Sequence, residues 1–135
     1  ANQAVGASYR IDANVLLSWT GTGNRGGFVY DYTDANNYRQ LTLSRTASNR
    51  PLLTLTEVRN GARQPVTSRE VNQAWPVGHP IRLILLRHAG ITTVGFANVT
   101  LITASQSQIS GVKRVGLLAQ WNLARFDDVV VGAAP

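Results

Sequence analysis

The sequence predicts an all-β fold, a sandwich or barrel of short antiparallel strands, on three observations. Residues 5 to 19 alternate with period two, turn signals recur at short and regular intervals, and no segment carries a 3.6-residue apolar period between caps. At 135 residues the chain is one domain by size, 1–135, able to bury roughly two-thirds of its unfolded surface around a single core.

The elements follow in order. In VGASYRIDANVLLSW, Val5, Ala7, Tyr9, Ile11, Ala13, Val15, Leu17 and Trp19 occupy the odd positions, which predicts one long strand with one buried face. Gly21-Thr22-Gly23-Asn24-Arg25-Gly26-Gly27 then reads as a flexible loop. It also spells G-x-G-x-x-G, but a dinucleotide site needs a helix to open at the third glycine, and Phe28-Val29-Tyr30-Asp31-Tyr32 reads as strand. Further strands are predicted at about 37–45, 51–59, 63–69, 80–87, 91–97, 112–120 and 124–131. Among the turns between them Asn60-Gly61 is the strongest, since a type I′ turn needs positive φ twice.

Three blocks of sequence carry a resemblance. Val112 to Val131 writes two strands around a polar turn and ends in Phe126-Asp127-Asp128-Val129; Asp31 to Arg39 (DYTDANNYR) leads into Leu41 and Leu43; and Val58-Arg59-Asn60-Gly61 forms a turn. Together they resemble the hairpins of concanavalin A-like (laminin G-like) jelly-roll domains. The resemblance implies a two-sheet antiparallel β-sandwich, and it extends to the carbohydrate-binding modules built on that fold.

Composition narrows the function classes. Zero Cys excludes disulfides and thiolate metal sites, and no run of about 18 apolar residues exists to span a membrane. The absence of Met, even at position 1, suggests a mature product or a module excised from a larger protein, with the last residues reading as the start of a linker. The formal charge of +6 is made by Arg, with Lys113 the one lysine. A guanidinium forks two donors toward a carboxylate or sulfate, so an anionic ligand is favoured. Nucleic acid is not expected, because the arginines are spread along the chain and charged residues total 15%.

Catalytic signatures are missing. Glu57 and Glu70 are the only glutamates, neither lies in the paired-carboxylate strand that glycosidases of this fold carry, and their neighbours leave open which face each occupies. Gln108-Ile109-Ser110 has serine where related lyases need a histidine, and His79 and His88 read as solvated loop residues.

Binding chemistry remains. Trp121 sits in a polar turn between Gln120 and Asn122, where an exposed indole is a flat platform for a sugar ring and the amides read hydroxyls. Tyr30, Tyr38 and Gln40 are expected to share a sheet face with it, and Asn24 and Arg25 to flank it from the Gly-rich loop. Trp19 and Trp75 are expected in the core. No cofactor is expected, although a structural Ca²⁺ on Asp127 and Asp128 would match the practice of related modules; Asp31, Asp34 and Asn36 offer a second oxygen set, for which an Asx turn is the commoner fate. The leading expectation is a monomeric, non-catalytic carbohydrate-binding module from a secreted bacterial protein, directed at a polysaccharide and preferentially an acidic one. An adhesion or protein-interaction domain of laminin G type is the alternative, and a lyase or glycoside hydrolase with an unfamiliar site the third.

Overall fold

A computed structural model describes residues 3–6, 8–17, 25–72, 80–108, 113–120 and 124–133; of residues 3, 4, 17, 119, 120, 124–128 and 133 it describes the backbone. Eleven strands and no helix are formed among them: β1 (Gln3–Val5), β2 (Tyr9–Leu17), β3 (Arg25–Asp34), β4 (Asn37–Arg45), β5 (Pro51–Arg59), β6 (Ala62–Glu70), β7 (Ile81–His88), β8 (Ile91–Phe96), β9 (Val99–Ser105), β10 (Lys113–Gln120) and β11 (Ala124–Ala133). A six-stranded sheet in the order β1-β10-β3-β4-β5-β6 faces a five-stranded sheet in the order β11-β2-β7-β8-β9, and every pairing is antiparallel. This is the two-sheet jelly roll that the resemblance implies.

Three boundaries differ from the sequence reading, each for a local reason. The strand expected over 5–19 is two strands: β1 pairs with β10, whereas β2 pairs with β7 and β11 in the other sheet. The chain changes sheets after Val5 without losing its odd-inward parity, so periodicity could not mark the crossing. The loop expected through Gly27 gives way to strand at Arg25. A Cβ on Gly27 would lie 1.9 Å from the Leu41 carbonyl oxygen, so this glycine answers a close backbone approach rather than a need for flexibility. Strand β9 follows a two-residue turn, Ala97-Asn98, with φ of 50° and 69°; it holds neither Gly nor Pro, and the hairpin was invisible for that reason. Asn60-Gly61 behaves as expected, with φ of 50° and 79°.

The core is built in rungs of cross-strand partners. On the inner face of the larger sheet Phe28, Leu41 and Leu55 form one rung and Gly26, Leu43 and Leu53 the next. Facing them are Ile11, Leu85 and Val94, then Ala13, Leu83 and Phe96. All are buried, and apolar burial at about 25 cal/mol per Å² is the main stabilising term.

The next rung on each sheet is polar. In the larger sheet it reads Tyr30, Arg39, Glu57, and in the smaller one Tyr9, Arg87, Thr92. Arg39 is 1% exposed and is among the largest fully buried side chains. Between the two rungs lies Asp31, which strand alternation alone would point outward, since Tyr30 points in. Here β3 runs from Tyr30 to Asp34 while β4 returns only from Arg39 to Asn37. Asp31 takes φ of 47°, and this bulge turns two successive side chains into the interior. Its Oδ1 accepts the Tyr9 hydroxyl at 2.5 Å, its Oδ2 accepts Arg39 Nη1 at 2.7 Å, and the same oxygen lies 3.1 Å from Arg87 Nε in an ion pair. One carboxylate therefore holds two buried guanidiniums.

Burial raises the Tyr9 and Tyr30 hydroxyls well above the ordinary tyrosine range, and the neighbouring Asp31 charge adds to the effect in both. The Tyr30 hydroxyl donates to Gln106 Oε1 at 2.7 Å. Both phenols are neutral in the fold.

Gly27→Ala is expected to destabilise by about 3 kcal/mol or more in urea unfolding, as the methyl would displace ladder backbone. Gly95→Ala, whose Cβ would meet Ile84 side-chain atoms at 3.5 Å, should change stability by about 1 kcal/mol or less; equal effects would contradict the close approach at Gly27. Asp31→Asn keeps the shape and removes the shared charge, so it should cost about 3–5 kcal/mol. A loss under about 1 kcal/mol would show that the arginines do not depend on it. The tyrosines fix a pH dependence: the unfolded chain ionises near pH 10 while the folded phenols stay protonated, so stability is intact below about pH 10 and falls as pH rises beyond it. Followed by ζ-carbon shifts of labelled tyrosine, Tyr9 and Tyr30 should ionise only together with loss of the fold.

Candidate functional site

Two hairpin tips and one loop build a cavity over the polar rungs. The β3–β4 tip is closed by an Asx turn in which Asp34 accepts the Asn36 N–H at 2.8 Å and the Asn37 side-chain amide at 3.0 Å. Asn36 in turn accepts the Gly61 N–H at 3.0 Å, and Asn37 Oδ1 accepts the Asn60 N–H at 3.1 Å. The β3–β4 and β5–β6 tips are thus locked side by side. The loop of residues 106–108 closes the third side. It hangs on the buried charges: the Ser107 carbonyl accepts Arg39 Nη1 at 2.9 Å and Arg87 Nη2 at 3.2 Å, and Gln106 Oε1 accepts both the Tyr30 and the Thr92 hydroxyls.

The space between the tips and the loop is an open cleft of about 550 Å³ lined by Thr33, Asn37, Tyr38, Glu57, Val58, Arg59, Asn60, Ser107 and Gln108. A smaller groove of about 290 Å³ on the outside of the other sheet has an apolar floor of Ile84, Leu86 and Gly95. The first cavity is the one that gathers charge, amide, hydroxyl and ring within reach of one small ligand.

Its electrostatics follow from the rung below. Glu57 Oε1 accepts Arg39 Nε at 2.8 Å and lies 3.2 Å from Arg59 Nη2. Burial by itself would lower the Arg39 pKa, but the hydrogen bonds and charges of Asp31 and Glu57 outweigh it and hold it above the ordinary value. Arg39 and Arg87 are matched by Asp31 and Glu57, so Arg59 is the surplus charge of the cluster. It is also the exposed one, 57% against 21% for Glu57, and it donates to Ser107 Oγ at 2.8 Å. The rim is net positive over a single fixed carboxylate.

The residues singled out from the sequence fall in different places. Tyr38 lines the cavity. Gln40 lies on the open face of the larger sheet and accepts Arg63 Nη1 at 2.8 Å, while Arg63 Nη2 reaches the Tyr38 hydroxyl at 3.4 Å. Tyr30 does not share that face. As the cross-strand partner of Arg39 it points into the core, 0% exposed, and cannot meet a ligand. Arg25 is the cross-strand partner of Gln120, at the end of β3 about 26 Å from Thr33 by strand rise. Trp121, Asn122 and Asn24 lie outside the described residues, as do Trp19, Trp75 and His79. His88, exposed, pairs its Nδ1 with Ser8 Oγ at 3.2 Å.

For a metal, the backbone of Asp127 pairs with Asn14, and the Asp127 and Asp128 side chains lie outside the described residues. The other oxygen set is dispersed, with Asp31 committed to Arg39 and Asp34 to its Asx turn. No cluster of three His, Asp or Glu occurs among the described residues. Sequence reasoning missed Glu57, Arg59, Ser107 and Gln108 as one site. A signal existed: Arg39 shares the parity of Leu41 and Leu43, and Glu57 that of Leu53 and Leu55, which marks two opposite charges on core positions of neighbouring strands.

No protein-family profile matches the sequence, and neither does any curated protein. Solved structures do match. The chain is similar to carbohydrate-binding module CBM66 from Bacillus subtilis, with a TM-score of 0.72 and 17% identity over 98% of this chain and 78% of that one. It is similar to sheep galectin-11, with a TM-score of 0.68 and 13% identity over 97% and 96%. It also resembles part of a xylan β-1,4-xylosidase from Bacillus halodurans C-125, with a TM-score of 0.68 and 13% identity over 93% of this chain and 28% of that one. At these identities the likeness is one of fold: the two-sheet antiparallel jelly roll of this chain is shared with that carbohydrate-binding module and that galectin.

Proposed function

We propose that this domain is a non-catalytic carbohydrate-binding module that holds a polysaccharide, preferentially an acidic one, in the cavity between the two hairpin tips. The observation that carries the reading is the rim itself: a surplus guanidinium at Arg59, side-chain amides at Asn60 and Gln108, hydroxyls at Thr33 and Ser107, and the Tyr38 ring around one cavity. A sugar presents hydroxyls that both donate and accept, along with an apolar face, and this mixture answers both. Arg59 supplies the preference for a carboxylate or sulfate.

The donor set argues against hydrolysis. Glycoside cleavage needs two carboxyl groups held across one bond; among the described residues Glu57 is the one carboxylate on the cavity, tied to two arginines, and Asp31 is bound to Arg39 in the interior. The neighbours support a binding role, since a carbohydrate-binding module and a galectin share the fold and a xylosidase contains it as about a quarter of its length. In this reading the domain is a module of a secreted bacterial protein and works by raising the local concentration of an attached enzyme on its polymer.

Electrophoresis through gels containing neutral or uronic-acid polysaccharides tests the proposal. Retardation is expected on at least one uronate polymer and should weaken as salt rises to about 0.15 M, where charges more than about 8 Å apart are screened. Arg59→Ala and Gln108→Ala should each weaken retardation about tenfold, the effect of losing about 1.4 kcal/mol, with thermal stability kept. No reducing ends or unsaturated uronates should be released. Retention unchanged in both variants but lost in Trp121→Ala would move the site from the cavity to Trp121, and polysaccharide cleavage abolished by Glu57→Gln would replace binding by catalysis.

A further inference from the structure

The open face of the six-stranded sheet carries a row of side chains beside the cavity. Tyr32 and Tyr38 stand next to each other, ring centroids 5.8 Å apart and planes inclined at 33°. Both are partly exposed. Arg114, exposed on β10, is the cross-strand partner of Tyr32, and cross-strand partners project from the same side of a sheet. At the other end Arg63 reaches the Tyr38 hydroxyl and Gln40. The row therefore runs Arg114, Tyr32, Tyr38, Arg63 across the strands from β10 to β6, about 19 Å at the usual strand spacing. Neither arginine belongs to an ion pair among the described residues, where Asp12, Asp31 and Glu57 pair with Arg10, Arg39, Arg59, Arg82 and Arg87. Tyr38 and its cross-strand partner Val58 both line the cavity, so cavity and row are continuous.

The bulge at Asp31 explains why the platform exists. By turning Asp31 inward it restores the outward direction at Tyr32, which then meets Tyr38 instead of following Tyr30 into the core. Two paired rings offer more flat apolar area than a single sugar in the cavity would use, and the unpaired guanidiniums at the ends suit an anionic group.

We propose that the Tyr32–Tyr38 pair, flanked by Arg114 and Arg63, is a second subsite that takes the neighbouring carboxylate- or sulfate-bearing residue of a polysaccharide whose first residue occupies the cavity. The polymer then lies across the strands. This rests on the binding function proposed for the cavity and adds what that reading does not contain, a requirement for at least two sugar residues.

Titration calorimetry with a uronic-acid monosaccharide, its disaccharide, a sulfated disaccharide and a neutral disaccharide tests it. The uronate disaccharide should bind about tenfold more tightly than the monosaccharide, the ring contacts and the charge together supplying about 1.4 kcal/mol. In Tyr32→Ala that ratio should collapse toward one, while Tyr32→Phe, which keeps the ring, should preserve it; Arg114→Ala should reduce it for the charged disaccharides. Gln108→Ala should weaken mono- and disaccharide alike and leave the ratio intact. A wild-type ratio of one, or a ratio that survives Tyr32→Ala, overturns the second subsite while monosaccharide binding leaves the cavity reading standing. An equal gain with the neutral disaccharide overturns the role of the arginines, and binding of none of the four removes the cavity reading and the subsite together.

Discussion

A single buried carboxylate governs the polar end of this sandwich. Asp31 binds Tyr9 from β2, Arg39 from β4 and Arg87 from β7, so it ties both sheets together where the aliphatic rungs stop. Two guanidiniums in a protein interior are costly unless each finds a fixed counter-charge and its remaining N–H groups find acceptors. Asp31 and Glu57 provide the first. The second is met largely by main-chain carbonyls of the loop after β9, together with Thr92.

That requirement is what gives the site its shape. An arginine that must donate to Ser107 fixes Ser107, and with it the wall of the cavity that Ser107 and Gln108 form. The hairpin tips are held by an equally local device, the Asn37 amide bridging Asp34 to the Asn60 main chain. The cavity-lining groups thus ride on backbone anchored from below and from the side, and a cavity preformed in this way would lose less ordering entropy on binding a ligand. Neutralisation within the rungs leaves Arg59 as the surplus charge, which is how an interior ion network determines the sign of a surface cavity.

Much of the architecture was legible in the sequence, because period-two alternation is a local consequence of strand geometry. Tyr9, Ile11, Ala13 and Val15 lie on the buried face their parity assigned. What failed were positions where parity and structure part company. Tyr30 and Tyr38 look alike as strand tyrosines, yet they point to opposite faces, since the β3–β4 register sets Tyr30 against Arg39. Ala97-Asn98 turns the chain with Asn98 as its one turn-forming residue and without the Gly or Pro that marks a hairpin most clearly. Gly27 looked like loop because a glycine required by a neighbouring carbonyl and one required by flexibility are spelled the same.

The sequence by itself determined the all-β class, the jelly-roll resemblance, most strand spans, the Asn60-Gly61 turn and an arginine-rich charge suited to anions, since each depends on short-range periodicity, turn stereochemistry or composition. Tertiary structure decided where the candidate site lies. Ser107 joins Glu57 and Arg59 through Arg39 and Arg87, which Asp31, turned inward by a bulge of two extra residues in β3, gathers from 8 and 56 positions further along the chain. No local pattern encodes that convergence, because the energy that enforces it, the pairing of charges removed from water, exists only once the two sheets have closed over them.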